Sequence, residues 1–211
     1  MSKPILFDYF RSSAAYRVRI ALGLKGVDYE RVKVNLLEGE HNAPGYRAVA
    51  PQGLVPALEI DGHRLTQSLA IIAYLEATRP EPPLLPADPA EAAHVRALAF
   101  VVASDIHPIN NLRVLRYLKD ELGREQSERD SWYRHWVAQG FAALEAMAAP
   151  RSGRFLFGDS ATLADICLVP QMYNARRFDV PLAGYPTLVR ADAEAAALEA
   201  FAAAHPDRAS A

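Results

Sequence analysis

Three short stretches in the first third of the chain put polar side chains where the backbone itself can bind a ligand. Arg11-Ser12-Ser13 lies between an apolar run, Ile5-Leu6-Phe7, and a helical pattern carrying Ala14, Ala15, Val18, Ala21 and Leu22. Hydroxyls at the start of a helix sit where free N–H groups and the macrodipole favour an anion. Either Ser12 or Ser13 simply caps the helix, or one caps while the other stabilises a bound anion such as a thiolate. Gly53-Leu54-Val55-Pro56-Ala57 leads a proline directly into a strand. Proline removes a ladder donor there, so the segment belongs at a sheet edge or in a cis turn. In the cis form the N–H and C=O of Val55 turn outward and can pair with an extended peptide as one more strand; an ordinary edge-strand start is the alternative. Gln67-Ser68 opens another helix, and an amide, a hydroxyl and helix N-terminal N–H groups suit a ligand carboxylate, although a serine there can equally serve as a cap alone.

These stretches need elements that bring them together. Ile5-Leu6-Phe7 reads as a strand, and the helix that follows runs from Ala14 to Lys25 with Gly26 able to end it. Arg31-Val32-Lys33-Val34 alternates as a half-buried strand does. Ala57-Leu58-Glu59-Ile60 and His63-Arg64-Leu65 flank Asp61-Gly62, a strong two-residue hairpin signal. Ser68 is expected to cap a helix carrying Leu69, Ile72, Ala73 and Leu75, which stops near Thr78 because Pro80 follows. Residues 1–80 thus read as a small α/β domain. One end of its sheet would gather a thiolate site, a backbone clamp and a carboxylate site, the inventory for holding γ-glutamyl-cysteinyl-glycine in extended form.

A proline-rich linker, 81–87, separates this domain from an all-α domain over 88–211. Asp88-Pro89-Ala90-Glu91 supplies an N-cap, a first-turn proline and a capping carboxylate for a helix running to about Leu118, disturbed at Pro108. A second helix is expected from Ser127 to Met147, with Trp132 and Trp136, four apart, reading as core rather than as a ligand stack. Thr162-Leu163-Ala164-Asp165 is a capping box, and Thr187 to Ala204 is an alanine-rich helical tail. The fold class is therefore α/β followed by all-α.

Composition narrows the function. A formal charge of −2 offers no electrostatic reason to bind nucleic acid or an anionic membrane. No apolar run approaches the roughly eighteen residues of a membrane span, and Met1 to Phe10 lacks the build of a secretory leader. The lone Cys167 excludes an internal disulfide framework, and the histidines show no metal-ligand spacing, so no metal is expected. Cys167, in Ile166-Cys167-Leu168-Val169, reads as a core thiol, while Arg17 and Arg19 read as structural. A cytoplasmic protein is expected.

The stretch Ser12-Ser13-Ala14-Ala15-Tyr16-Arg17-Val18-Arg19-Ile20-Ala21-Leu22 resembles the motif of zeta-class glutathione transferases, which include the maleylacetoacetate and maleylpyruvate isomerases. The likeness continues through Pro51-Gln52-Gly53-Leu54-Val55-Pro56-Ala57-Leu58, Gln67-Ser68-Leu69-Ala70-Ile71-Ile72, Asp105-Ile106-His107-Pro108-Ile109-Asn110-Asn111-Leu112, and Gly158-Asp159 with the capping box after it. It implies a thioredoxin-like domain followed by a helical bundle, a homodimer, and glutathione as cofactor. Ser12, with Ser13 beside it, would face the glutathione sulfur, Val55 would be the backbone clamp, and Gln67 and Ser68 would hold the γ-glutamyl end. His41 would reach the glycyl end, and His107, Asn111 and Arg113 would come from the helical domain. Ala14 stands where the family commonly has a cysteine, which places the sulfur chemistry on glutathione.

The implied reaction is cis–trans isomerisation of a small dicarboxylate keto acid of the maleyl type, in the breakdown of aromatic amino acids or other aromatic compounds. Thiolate adds to the conjugated double bond, the single bond rotates, and thiolate leaves. A dianionic substrate needs cations that fit carboxylates bidentately, and the resemblance assigns this task to Arg11 and Arg176. A general glutathione transferase or peroxidase would keep the glutathione site without paired arginines, and a non-catalytic glutathione-binding module is a third reading.

Overall fold

The computed structural model describes residues 3–210. They fall into two compact units, one running up to Pro83 and joined by the segment from Leu198 onward, the other Leu84–Ala197. The segment from Leu198 thus belongs with the α/β unit and not with the helical domain expected over 88–211.

In the first unit β1 (Ile5–Asp8), α1 (Ser13–Leu24) and β2 (Glu30–Lys33) form a parallel crossover, because β1 and β2 pair in parallel from Ile5–Glu30 to Asp8–Lys33. A single 3₁₀ turn, Glu40–Asn42, and α2 (Pro44–Val49) then lead to β3 (Ala57–Ile60) and β4 (His63–Thr66). The hairpin turns on Asp61 and Gly62, both at positive φ (53° and 79°), as the two-residue turn requires. The strand order is β2-β1-β3-β4, with β1–β3 and β3–β4 antiparallel. α3 (Ser68–Thr78) packs beside α1, and Leu6, Val18, Ile20, Leu58, Ile71 and Leu75 fill the core between helices and sheet. On the other side Tyr9, Val34, Tyr46, Ala50, Val55 and Ala57 form a second cluster, which anchors α2 against the sheet. This is the thioredoxin-like plan.

One detail corrects the sequence reading. Ser68 does not cap α3; it is the first helical residue, and the cap position belongs to Gln67, at φ 68° and ψ 116° with no side-chain cap bond. That conformation is rarely adopted by a residue with a Cβ, and such residues collect at binding sites.

The second unit is helical: α4 (Pro89–Phe100), a π-helical stretch at Val101–Ile106, then α5 (His107–Ile109), α6 (Leu112–Asp120), α7 (Gln126–Ala148), α8 (Leu163–Arg177) and α9 (Pro186–Ala196). Asp88 caps α4 by accepting from the N–H groups of Ala90 and Glu91, both at 2.9 Å. The break expected at Pro108 is spread over two places. Pro108 has no N–H to give the preceding turn, where a proline ring crowds the carbonyl four residues back, and the π-helical stretch ends one residue before it, at Ile106; the chain then leaves the helix at Asn110 and Asn111. The tail is two helices, α9 and α10 (Glu199–Ala203), followed by a last turn, α11 (Pro206–Ala209). Among the described residues no helix is long and apolar enough to cross a membrane.

Candidate active site

The register of the sheet decides where the first three stretches go. β1 and β4 end, and β3 begins, at the same edge, since Phe7 pairs with Ala57 and Ala57 with Thr66. Arg11-Ser12-Ser13 follows β1, Val55 precedes β3 and Gln67-Ser68 follows β4, so all three lie at one end of the sheet.

Ser12 is the N-cap of α1, and its Oγ accepts from the Ala15 N–H at 3.2 Å. This bond uses an oxygen lone pair and leaves the hydroxyl hydrogen; among the described residues nothing accepts from it. The two readings of this serine are therefore compatible, because it can cap the helix and donate to an anion at once. Ser13 is buried as the first helical residue. No acidic residue stands in the first turn of α1. Arg11 is exposed, lies 5.0 Å from the centroid of the Phe10 ring, and makes no ion pair among the described residues.

The Val55–Pro56 peptide is cis. Val55 is buried, yet among the described residues no hydrogen bond is made by its N–H or C=O. Buried backbone groups are nearly always paired, so such an edge suits an extended peptide ligand. The loop before it is packed tightly. Tyr46 donates to the Leu54 carbonyl at 2.7 Å, and burial pushes its phenol well above the usual range. Gly53 has φ 62°, and a Cβ there would stand 2.9 Å from the His41 carbonyl oxygen and from Cζ of Arg47. The His41 backbone thus lies against the loop that carries Val55, and its Nε2 lies 3.2 Å from Asn42 Nδ2.

Gln67 is exposed, and its amide donates to Gln52 Oε1 at 2.6 Å. The sequence reading gave Gln52 no role of its own, although it stands in the Pro51–Leu58 block. Ser68 is buried, and its Oγ accepts from Arg17 Nη1 at 3.4 Å. Arg17 and Arg19 are both interior side chains of α1. Burial lowers the pKa of Arg19 while the adjacent Asp8 carboxylate opposes the shift.

In the second unit, His107 begins α5, directly after the π-helical stretch. Ile106 packs so closely on α7 that a Cβ at Gly140 would lie 2.2 Å from its Cγ1. Asn111 caps α6 through Oδ1, which accepts from the Arg113 N–H at 3.2 Å, and Arg113 is an exposed cation with no ion pair among the described residues. Arg176 is held by Asp192, Nη2 to Oδ2 at 2.5 Å, with its side chain half exposed. Burial raises the pKa of Asp192, and the Arg176 charge and hydrogen bond oppose that rise. The ion pair occupies one edge of the guanidinium; its other N–H groups stay available to a carboxylate. Asp165 accepts from Thr162 and Leu156, and Cys167 is buried. Among the described residues no group of three or more His, Cys, Asp or Glu could hold a metal ion.

Residues 2–77 match the family model of the glutathione S-transferase N-terminal domain. The chain is 52% identical to the maleylacetoacetate isomerase of Rhizobium meliloti (strain 1021), over 99% of its own length and 98% of that protein. It superposes with a TM-score of 0.95 on the holo structure of maleyl pyruvate isomerase, a bacterial zeta-class glutathione S-transferase, at 47% identity and 97% coverage of both chains. The maleylacetoacetate isomerase of Anaeromyxobacter dehalogenans 2CP-1, solved with glutathione bound in its active site, superposes with a TM-score of 0.88 at 48% identity, over 98% of this chain and 96% of that one. With likeness at this level running through both units, the chain belongs to the zeta-class glutathione transferases of the maleylacetoacetate and maleylpyruvate isomerase family.

Proposed function

We propose that this protein is a glutathione-dependent isomerase that turns the cis double bond of a maleyl-type dicarboxylate keto acid into its trans isomer. The observation that carries the reading within the structure is the open start of α1. There Ser12 caps the helix with a lone pair, keeps its hydroxyl hydrogen, and faces no acidic residue in the first turn. Bound glutathione supplies the thiolate nucleophile for this chemistry.

The chain's own residues would hold and tune that ligand. The N–H and C=O of Val55 would pair with its cysteinyl backbone. Gln67, Ser68 and the first amides of α3 would take its γ-glutamyl carboxylate, while His41 would meet the glycyl end. Ser12 would donate to the sulfur, and with the positive end of α1 it would hold the thiol pKa below its free value of ~8.5. His107, Asn111 and Arg113 would contribute from the helical unit. Arg11 and Arg176 would each clamp a substrate carboxylate, orienting the double bond for attack. We also propose that the protein works in the cytoplasm, as its composition suggests, and as a homodimer, as the family resemblance implies.

The test is an ultraviolet assay with maleylpyruvate and with maleylacetoacetate, each with and without glutathione. Conversion to the fumaryl product only in the presence of glutathione is expected, and the ratio of the two rates would name the preferred substrate. Conjugation of a generic electrophile with neither isomer converted would replace this reading with a general transferase.

A further inference from the structure

A single buried side chain ties the end of the chain to the loop that carries Ser12. Arg19 on α1, 2% exposed, donates in three directions: from Nη1 to Asp8 Oδ1 at 2.8 Å, from Nη2 to the Phe10 carbonyl at 3.0 Å, and from Nε to the Ala204 carbonyl at 3.0 Å. Its Cζ lies 5.2 Å from the centroid of the Tyr16 ring, and the Tyr16 hydroxyl donates to the Phe201 carbonyl at 3.4 Å. The second oxygen of Asp8 accepts from Arg31 Nε at 3.0 Å, and Arg31 Nη2 donates to the Ala209 carbonyl at 2.6 Å. Phe201 is fully buried, and Gly23 lets Ala200 approach α1, where a Cβ in its place would sit 3.2 Å from that of Ala200.

This arrangement differs from an ordinary buried ion pair. An arginine serving only Asp8 would turn two parallel N–H groups on the carboxylate. Here Asp8 receives one from Arg19, and the others go to main-chain carbonyls far apart in sequence. Those carbonyls belong to the strand-to-helix loop and to the C-terminal segment. The Phe10 carbonyl is part of the peptide bond to Arg11, and the Ser12 N–H is itself held by the Tyr9 carbonyl at 2.8 Å. The path from the buried cation to the thiol-facing hydroxyl is therefore two residues of fixed backbone. A planar guanidinium sends its N–H groups to these acceptors from three separate nitrogens, whereas an ammonium at the same place would donate from one nitrogen on a shorter stem.

We infer that Arg19 is a positioning residue for the thiol site, and that through it the segment 198–209 is a working part of that site. The inference rests on the reading that Ser12 stabilises a bound thiolate. Arg19 touches neither ligand nor reacting atoms; it sets where the Arg11–Ser12 backbone lies, and the C-terminal segment sets where Arg19 lies.

The experiment compares Arg19→Lys, Phe201→Ala, Ser12→Ala and Lys25→Met. Lys25 is buried at the other end of α1, where Nζ holds Glu76 and the carbonyls of Pro80 and Pro82, so its loss destabilises the same helix without touching the Ser12 loop. Three quantities are read: amide hydrogen exchange over residues 9–15 without glutathione, the pKa of the bound glutathione thiol from thiolate absorbance, and kcat apart from KM. Arg19→Lys is expected to speed exchange, to move the bound thiol toward the free value of ~8.5, and to lower kcat by about 10- to 100-fold with little change in the KM for glutathione. Phe201→Ala should move all three the same way by less, and it decides the matter if Arg19→Lys does not fold. Lys25→Met should leave them at wild-type values. Wild-type exchange, thiol pKa and kcat in the Arg19 and Phe201 variants would overturn the inference, as would equal changes in Lys25→Met. If Ser12→Ala is impaired while those variants are not, only the inference falls. An unimpaired Ser12→Ala removes the reading beneath it, and the inference with it.

Discussion

Two helices in this protein begin in the same way and are finished differently. Ser12 caps α1 by accepting from Ala15 N–H at 3.2 Å, and Thr162 caps α8 by accepting from Ala164 N–H at 3.3 Å. At α8 the box is closed, because Asp165 reaches back to the Thr162 N–H at 2.8 Å and to its hydroxyl at 3.0 Å, and also takes the Leu156 N–H at 2.9 Å. At α1 the equivalent third position is Ala15, and no carboxylate arrives from elsewhere among the described residues. The pattern extends further. α4 has Glu91 in its first turn, α7 has Glu128, and the amides of Thr187 and Leu188 at the start of α9 are taken by Glu145 from α7. α1, α3 and α6 have no acid in the first turn, and these helices carry Ser12, Ser68 and, at its cap, Asn111. A helix start satisfied by its own carboxylate is structure. One left with its positive end open has room for an anion from outside.

The comparison can be broken at the closed end first. Asp165→Ala should orphan three buried donors and cost about 3 kcal/mol of stability, lowering Tm by ~6–12 °C, while the affinity for glutathione stays unchanged. Thermal denaturation and titration calorimetry check this. A loss of glutathione binding in a protein that still folds would mean that the capped start of α8 is not purely structural.

The same atom can then be deleted from each cap. Ser12→Ala should lower turnover by about 10²-fold, the size of effect seen when one preorganised donor is removed from an anionic transition state, with glutathione affinity nearly intact. Thr162→Ala should leave turnover alone and cost about 1 kcal/mol of stability. Steady-state kinetics and melting curves on the pair decide it, and equal turnover in both would remove Ser12 from the chemistry.

A pH series separates the caps a third way. Burial pushes the Asp165 carboxyl up to about 6, with the donors from Leu156 and Thr162 opposing the rise. A folded pKa above the unfolded value of ~3.9 means that the folded state holds its proton more tightly, so the stability this gives is present at low pH and lost as pH rises through about 6. Measured against Asp165→Asn, which cancels the other carboxylates, wild type should lose about 2 kcal/mol of relative stability between pH 4 and pH 7. A flat difference would place the carboxyl at an ordinary pKa.

Much of this was legible in the sequence, for local reasons. The Asp61-Gly62 hairpin, the Asp88 cap and the Thr162–Asp165 box each depend on residues within a few positions of one another, and all stand where the spacing put them. What was missed is non-local or conformational. Nothing in the string shows that Gln67 takes φ 68° and displaces Ser68 from the cap, since that strain is imposed by the strand before it and the helix after it. α2 was not foreseen because Pro44–Val49 is too short for a period to show. The docking of residues 198–209 on the first unit depends on Arg19 and Arg31, some 180 positions away, as the hydrogen bonds to Ala204 and Ala209 record. The roles given to Ser12, Val55, Gln67 and the arginines came from resemblance, and the structure adds a reason for some of them in the unpaired Val55 backbone and the open start of α1.

The smallest change is also the most direct test of an open helix start. Ala14 is the second residue of α1, partly exposed, and occupies the place where the family commonly carries a cysteine. An aspartate there would bring to α1 the negative charge that Asp165 brings to α8. By the dipole argument it should stabilise the helix by ~0.3–1 kcal/mol, a rise of ~1–4 °C in Tm. The same charge would repel a thiolate sharing that terminus, so glutathione affinity should weaken about threefold at neutral pH and the bound thiol should titrate higher. The two effects oppose each other only if stability and anion binding draw on one positive end. Titration calorimetry across pH, beside a melting curve, reads both. A more stable Ala14→Asp that binds glutathione as wild type does, with its thiol unmoved, would show that the start of α1 is merely uncapped by an acid and not reserved for an anion.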